Sequence, residues 1–238
     1  SVELKVGISF VSEENAMLNL KAETDGKDFD AVRQSAADAW EENLSVIDIQ
    51  ANDEIKTNFY TGLYHTMIMP TNFTDVNGEY LGFDKDVHIA EGYTYRTDMS
   101  IWDTCRVTHP FYTLIAQDIQ TDCLNSLVDM AEKGGALPRW PMGAGYAGSM
   151  MGDIANIVVT ESYLKGIRDF DVEAAYAFMK NSSETPSPRA GREHVNEYNQ
   201  YGYVPQALCP GNESASRTIE YAWEDAAIAT LAAELGHT

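Results

Sequence analysis

Apolar residues follow two different periods along this chain. From Val2 to Phe10 every second residue is apolar, a period of two that predicts a half-buried strand. After Asp25 almost every apolar run recurs at three and four residues, which predicts helices. One strand needs a sheet that the rest of the chain does not supply. We therefore expect residues 1–24 to be the edge of another domain, and the chain, which starts at Ser1 inside this pattern, to be an excised piece.

Two helices are predicted next. Asp28 can cap a helix over Phe29–Leu44, and a second helix runs from Ile55 to Met67 and must stop before Pro70. A short strand, Val46–Gln50, is predicted between them. Further helices are predicted at Ile101–Ala116, Ile119–Glu132, Asp153–Lys165, Val172–Lys180 and Thr218–Leu235, three of which end at glycines.

The connections between these helices alternate between short and long. Residues Thr71–Tyr95 form a long polar loop, longer than the roughly 12–15 residues usual for structureless connections. Two more long loops, Leu137–Tyr146 and Ala190–Pro205, are rich in Gly, Pro, Arg and aromatic residues. Long loops at one end of a helical array form a binding face. The sequence therefore predicts a mainly α-helical protein whose loops carry its function.

Composition excludes several classes of partner. The 238 residues hold 16 Lys and Arg against 37 Asp and Glu, a formal charge of −21. Such a charge repels phosphate backbones and anionic lipid, so we expect neither nucleic acid nor a membrane as partner. Three widely spaced cysteines predict neither a zinc site nor a disulfide framework, and His65 and His109 have no second histidine at metal-site spacing.

The segment Tyr95–Arg106 carries the most specific chemistry. It combines two Arg, two Asp and one Trp beside an apolar helical run. A flat indole can cover the apolar face of a sugar ring, and charged planar groups can bond vicinal hydroxyls. The segment therefore predicts a carbohydrate site.

An ordered series of motifs runs through nearly the whole chain: Gly7-Ile-Ser-Phe-Val-Ser12, Glu14-Asn-Ala16, Asn19-Leu20, Phe59-Tyr-Thr-Gly-Leu-Tyr-His65, Asp75-Val-x-Gly78, Tyr80-x-Gly82, Trp102-Asp-Thr104, Arg106, His109-Pro110, Gly134-Gly135, Leu137-Pro-x-Trp-Pro141, Gly152-Asp153, Tyr163-Leu-Lys-Gly-Ile167, Gly202-Tyr-Val-Pro205 and Glu220-Tyr-Ala222. This series resembles the glycoside hydrolase family 92 α-mannosidases. The resemblance rests on the order and spacing of many motifs, none of which is specific alone.

The resemblance implies a fold and a division of the chain. The family has an N-terminal β-sandwich followed by an (α/α)6 barrel, or toroid. Residues 1–24 would then be the last strand of a sandwich that this chain otherwise lacks. Residues 25–53 would be a helical linker, and residues 54–238 the N-terminal half of the catalytic barrel.

The resemblance also implies an activity: calcium-dependent, inverting removal of terminal mannose from α-mannosides and mannose-containing glycans, including N-glycans. Inversion uses one carboxylic acid and one carboxylate roughly 6.5–9.5 Å apart. The family's acid, base and calcium-holding segments do not occur between Ser1 and Thr238. We therefore expect no catalytic residue and no calcium ligand here, missing N- and C-terminal parts of the parent chain as partners, and a secreted, periplasmic or cell-surface location.

Six residues are candidates for the sugar-binding wall. Trp102 and Asp103 match the family's Trp-Asp-Thr motif, and Asp103 could accept from two mannose hydroxyls; alternatively it caps its helix or pairs with Arg106. Glu220 lies on an apolar helix face, where a carboxylate must be paired or functional. The other candidates, each with a structural alternative, are Arg96 as a solvated loop residue, Asp153 as a helix N-cap and Trp140 as a packing residue.

Two departures from the family pattern bear on activity. The usual Gly-Asp-His is Gly152-Asp153-Ile154 here, and the usual Asp-Asp-Trp is Glu224-Asp225-Ala226. Losing a polar His removes a hydrogen-bonding group from the pocket. The rival hypothesis is therefore a carbohydrate-binding or structural relative that kept the barrel and lost hydrolysis.

Overall fold

The computed structural model describes residues 2–187 and 190–237, and these are mainly helical, as the sequence predicts. The helices are α1 (Glu13–Thr24), α2 (Phe29–Leu44), α3 (Asp53–Thr66), α4 (Ile101–Thr104), α5 (Thr108–Ile115), α6 (Gln117–Gly134), α7 (Ala155–Leu164), α8 (Val172–Glu184), α9 (Val195–Tyr201) and α10 (Ser214–Leu235).

The strand predicted at the start of the chain stays a prediction, because the sequence expects it to pair with a sheet of another domain. Residues 2–10 make no strand pairing with the described part of the chain, and Val2, Leu4 and Phe10 are 97%, 85% and 62% exposed. A ladder needs a partner strand, and the alternating pattern alone cannot supply one. The sequence missed α1, which begins at the Ser12 N-cap. The second predicted strand, Val46–Gln50, is not formed.

Asp75 anchors the N-terminal segment to the rest of the chain. It is buried, and its carboxylate accepts hydrogen bonds from the Ser9 hydroxyl at 2.6 Å and from the Asn15 and Asn19 amides at 2.8 and 2.6 Å. Three donors on one carboxylate satisfy its buried oxygens. Residues 9–19 are thereby held beside the long loop after α3.

That loop, Thr71–Tyr95, is not structureless. Strand β1 (Thr71–Asn72) pairs antiparallel with β4 (Arg96–Thr97), and β2 (Glu79–Leu81) pairs with β3 (Val87–Ile89). Tyr80 stacks on Tyr95 with ring centroids 4.0 Å apart, and its hydroxyl donates to Asp129 of α6 at 2.6 Å. These contacts dock the loop on the helical core.

The helix predicted over Ile101–Ala116 is two helices. The backbone breaks at Val107, whose φ and ψ are −139° and −54°, and α5 begins at the next residue. Pro110 then lies in the first turn of α5, where its missing N–H breaks no helical hydrogen bond. The break gives the short helix α4, which carries Trp102 and Asp103, its own direction.

The apolar core lies between α6, α7, α8 and α10. Leu124, Leu127 and Met130 of α6 and Val159 of α7 are fully buried in it. Helix α2, in contrast, has no buried residue, and its Trp40 meets Tyr64 of α3 edge-on at 4.5 Å. Within the described residues, no helix combines the length and apolarity that crossing a bilayer requires.

Candidate functional site

Arg106 lies at the centre of a cluster that joins α4 to α10. Its guanidinium carbon lies 4.5 Å from the ring centroid of Trp102 and 5.6 Å from that of Trp223. One guanidinium nitrogen donates to the Trp102 carbonyl at 2.6 Å, and the other donates to Glu220 Oε1 at 3.2 Å. The fold thus brings two predicted site residues, Trp102 and Glu220, together through a third residue. We call Trp102, Asp103, Arg106, Glu220 and Trp223 the arginine cluster.

The cluster holds polar atoms that the rest of the protein leaves unsatisfied. Trp102 Nε1 and Glu220 Oε2 are buried without a hydrogen-bond partner among the described residues. The Glu220 side chain is only 13% exposed. Burial raises the pKa of Glu220, and the Arg106 charge opposes that rise. An unsatisfied donor and an unsatisfied acceptor, each on a residue that contacts Arg106, indicate a polar partner that the described residues do not supply.

Asp103 is the exposed carboxylate of the cluster. Within the described residues its side chain makes no hydrogen bond and no ion pair, because Arg106 pairs with Glu220 instead. The alternative in which Asp103 pairs with Arg106 is therefore wrong. Helix α4 likewise has no side-chain cap at Ser100. The Asp103 carboxylate is left available to solvent.

Asp153 lies in a second cluster, fully buried, at the start of α7. Its Oδ1 accepts from Arg192 Nε at 2.7 Å, and its Oδ2 accepts from Asn156 at 2.6 Å and from the Ser182 hydroxyl. Arg192 also reaches Glu224 Oε2 at 3.2 Å and Asp225 at 2.5 Å. Both Asp153 and Glu224 are completely buried. These bonds tie α7, α8 and α10 together.

The two buried carboxyl groups of this cluster differ in protonation. Burial raises the pKa of Glu224 well above its ordinary 4.5, and the charge of Asp153 raises it further. Burial also raises the pKa of Asp153, but a hydrogen bond from Glu224 and the charge of Arg192 outweigh it, so the pKa falls below 3.8. Glu224 therefore keeps its proton beside an ionised Asp153. The charge of the buried Arg192 is thus balanced by the ionised Asp153, while the neighbouring Glu224 stays neutral.

Arg96 and Trp140 lie outside the arginine cluster. Arg96 is on β4, and its Nε donates to Asp122 of α6 at 3.0 Å, so it tethers the strand to the core. Trp140 is half-buried, and its carbonyl accepts from Ala147 at 3.0 Å inside its own loop. Neither residue contacts Trp102 or Glu220. Trp140 fits its packing alternative, whereas Arg96 is a paired strand residue and not the solvated loop residue that the sequence offered as an alternative.

The described residues contain no side-chain group arranged for calcium. No group of three or more His, Cys, Asp or Glu side chains among them is arranged to hold a metal ion. The carboxylates of the buried cluster already surround the Arg192 guanidinium, whose positive charge would repel a second cation there. The donor set of residues 2–187 and 190–237 therefore does not fit calcium.

Sequence reasoning missed Arg106, Trp223, Arg192 and Glu224 as members of these clusters. Arg106 is part of the motif series, and it follows Trp102 by four residues. Side chains at this spacing lie next to each other on a helix, so the contact could have been predicted. Nothing local pointed to Arg192, which meets Asp153 across 39 residues of sequence.

Comparison with known proteins identifies the family. Residues 15–238 match the model of the glycosyl hydrolase family 92 catalytic domain. A curated relative from the fungus Arthroderma benhamiae, described as an uncharacterized secreted glycosidase, is 26% identical over 250 residues. The match covers 99% of this chain and 28% of that protein.

Two solved structures from Bacteroides thetaiotaomicron share the fold. One is a family GH92 α-mannosidase in complex with mannoimidazole, 34% identical, with a TM-score of 0.89 over 96% of this chain and 29% of that chain. The other is a family GH92 inverting mannosidase, 29% identical, with a TM-score of 0.90 over 96% of this chain and 31% of that one. The chain thus spans less than a third of the length of these relatives. With nearly all its residues in the match, the chain belongs to glycosyl hydrolase family 92.

Proposed function

We propose that this chain is part of an α-mannosidase that removes terminal mannose from α-linked mannosides, and that the arginine cluster is part of its sugar-binding wall. The observation that carries this proposal is the unpaired Asp103 carboxylate beside the buried, unsatisfied Trp102 Nε1 and Glu220 Oε2. A hexose offers hydroxyl donors for the carboxylates and acceptors for the indole N–H. The mannoimidazole complex of one relative supports mannose as that hexose.

The arrangement of Trp102 limits how the sugar can lie. The Arg106 guanidinium already covers one face of the indole. A mannose ring can therefore stack only on the opposite face of the indole. In this proposal Arg106 holds the indole and Glu220 in place, while Asp103 accepts from the hydroxyls.

The bond-breaking groups are proposed to lie in other parts of a longer parent protein. Inverting hydrolysis needs room for a water between acid and base, roughly 6.5–9.5 Å. The buried carboxyl pair of this chain, Asp153 and Glu224, approaches a single Arg192 nitrogen and leaves no room for substrate. Inversion, calcium and the remaining half of an (α/α)6 barrel are therefore assigned to segments that this chain does not contain.

The proposal also covers location, substrate class and the change at Ile154. A secreted, periplasmic or cell-surface location is supported by the curated fungal relative, which is described as secreted. N-glycans and other mannose-containing glycans are the proposed substrates. Ile154, which stands where the family pattern has a histidine, is fully buried beside Asp153. The missing polar group therefore affects the buried cluster and not the exposed Asp103.

The test uses both the chain and the complete parent protein. The chain alone, with calcium, should release no mannose from an α-linked mannobiose. The parent should release it, with the product first appearing as the β-anomer by proton NMR, and chelation should abolish that release. Turnover by the chain alone would overturn the placement of acid and base. A parent that binds mannosides without hydrolysing them would support the carbohydrate-binding relative instead.

In the parent, Asp103→Asn should lower kcat/KM for the α-mannobiose at least about tenfold, since a charge-assisted hydrogen bond is lost. Asp30→Asn, in the exposed first turn of α2, is the matched control and should leave kcat/KM unchanged. Equal activity of the Asp103→Asn variant and the parent would show that the arginine cluster is not part of the sugar site.

A further inference from the structure

A polar chain crosses the apolar core from α7 to α5. Ser162 donates to the Val158 carbonyl at 2.7 Å, the Gln120 amide donates to the Ser162 hydroxyl at 2.9 Å, and His109 Nδ1 lies 2.9 Å from Gln120 Oε1. All three side chains are buried, with exposed fractions of 1%, 0% and 3%. Groups so deep in a core must be satisfied by one another.

The hydrogen bonds of this chain can run in one direction. Since the Ser162 proton goes to Val158, its oxygen accepts from Gln120, and the Gln120 amide oxygen must then face His109. His109 Nδ1 therefore carries the proton and donates. Burial lowers the pKa of His109, and the hydrogen bond to Gln120 raises it by less, so the pKa stays below its ordinary 6.5. The ring is therefore neutral at pH 7. In a neutral ring the other nitrogen, Nε2, is a bare acceptor.

Within the described chain no group donates to His109 Nε2. The same side chain lines a cavity of about 20 Å³ between α5 and the segment Asp98–Thr104. Four hydroxyl residues line this cavity. Thr104 donates to the Ser100 carbonyl at 3.1 Å, and Tyr112 donates to the Thr66 and Met69 carbonyls. The hydroxyls of Ser100 and Thr108 make no hydrogen bond to Nε2, so none of the four supplies its donor.

A water molecule fits this cavity. One water needs roughly 10–15 Å³ of such space and two to four polar partners. Asp98 also lines the cavity; its Oδ1 accepts from the Gly143 amide at 2.9 Å, and its Oδ2 takes no hydrogen bond from the described residues. Two residues that line this cavity thus each carry an acceptor without a donor, His109 Nε2 and Asp98 Oδ2, which matches the two protons of one water.

We propose that this cavity is a binding site for a single ordered water, which donates to His109 Nε2 and to Asp98 and so fixes the segment Asp98–Thr104 on α5. That segment carries Trp102, so His109 is a positioning residue for the arginine cluster. The water site itself does not depend on the proposed mannosidase function, and its test involves no sugar.

The first test is spectroscopic and uses the unmodified chain. Long-range proton–nitrogen NMR of ¹⁵N-labelled protein at pH 7 should show His109 with Nδ1 protonated and Nε2 unprotonated. A high-resolution crystal structure should show one water roughly 2.7–3.2 Å from Nε2. A protonated Nε2, or an empty cavity, would overturn the proposal.

The second test uses a matched pair of variants. Asn places its amide where Nδ1 stands, so His109→Asn keeps the donor for Gln120 and removes the acceptor for water. Amide exchange at Thr104 and Cys105, whose N–H groups donate to Ser100 and Ile101, should then accelerate at least fivefold. His65→Asn, on the exposed face of α3, should leave these rates unchanged. Unchanged exchange in His109→Asn would refute the positioning role.

Discussion

Arg106 and Glu220, 114 residues apart in sequence, form an ion pair at 3.2 Å between indoles from two helices. The pair joins the exposed segment around Asp103 to α10. The indole nitrogen of Trp102 and one oxygen of Glu220 stay buried without a hydrogen-bond partner among the residues that the structure describes. The stability and the binding chemistry of this region are therefore separable by substitution.

Removal of the Arg106 side chain should weaken the fold modestly. Arg106→Ala loses the contacts with both indoles and leaves Glu220, 13% exposed, without its partner. The side chain of Arg106 is 38% exposed, so solvent screens the pair, and we expect a loss of about 1 kcal/mol in the free energy of unfolding by urea. Arg33→Ala, an exposed arginine of α2, is the control and should change nothing. Equal unfolding of both variants would refute this role.

Asp103→Asn, unlike Arg106→Ala, should leave the stability of the fold unchanged. The carboxylate makes no hydrogen bond or ion pair within the described chain, so the neutral amide should leave the melting temperature unchanged. Differential scanning calorimetry of the two proteins checks this. A clear drop in the melting temperature would mean that Asp103 supports the fold, and the loss of kcat/KM predicted above would then have a structural cause.

Gly152 is the point where the buried cluster tolerates least change. Its φ is +81°, and a Cβ there would lie 2.0 Å from Glu224 Oε1. Gly152→Ala should lower the free energy of unfolding by about 2–3 kcal/mol, through backbone strain and overpacking together. Gly92→Ala isolates the strain, because Gly92 has a φ of +82° with nothing within 4 Å, and should cost about 1 kcal/mol. Similar losses in both variants would show that Glu224 moves aside freely.

The shared proton of the buried cluster predicts a pH dependence. The pKa of Glu224 is raised by burial and by Asp153, so the folded protein holds a proton that the unfolded chain releases above pH 4.5. Stability from this group should therefore fall as pH rises from 4.5 through the folded pKa of Glu224. Asp153 has the opposite sign, because its lowered pKa makes its contribution disappear as pH falls below 3.8.

Glu224→Gln tests this dependence, since the amide cannot titrate. Urea unfolding of the unmodified chain and the variant at a series of pH values above 4.5 should show a decline in the unmodified chain that is smaller in the variant. Parallel curves for the two proteins would mean that Glu224 is ionised in the folded state.

The sequence pattern was sufficient to predict those helix ends that depend on interactions between nearby residues. The cap at Asp28, the stop before Pro70 and the glycine ends at Gly135 and Gly236 lie where the sequence predicts them, because capping and backbone sterics act within a few residues. The period of two at Val2–Phe10 stays a prediction, because a strand there needs a partner sheet that local pattern cannot supply. Local pattern missed the pairing of β1 with β4, which are separated by a long loop.

The sequence by itself determined the helical class, the acidic surface and, through an ordered set of motifs, membership of the family. The tertiary structure alone decided which charges meet. It placed Arg106 against Glu220 and buried Asp153 under Arg192. The physical reason is that an ion pair depends on distance in space and on burial, and neither can be read from sequence separations of 114 and 39 residues.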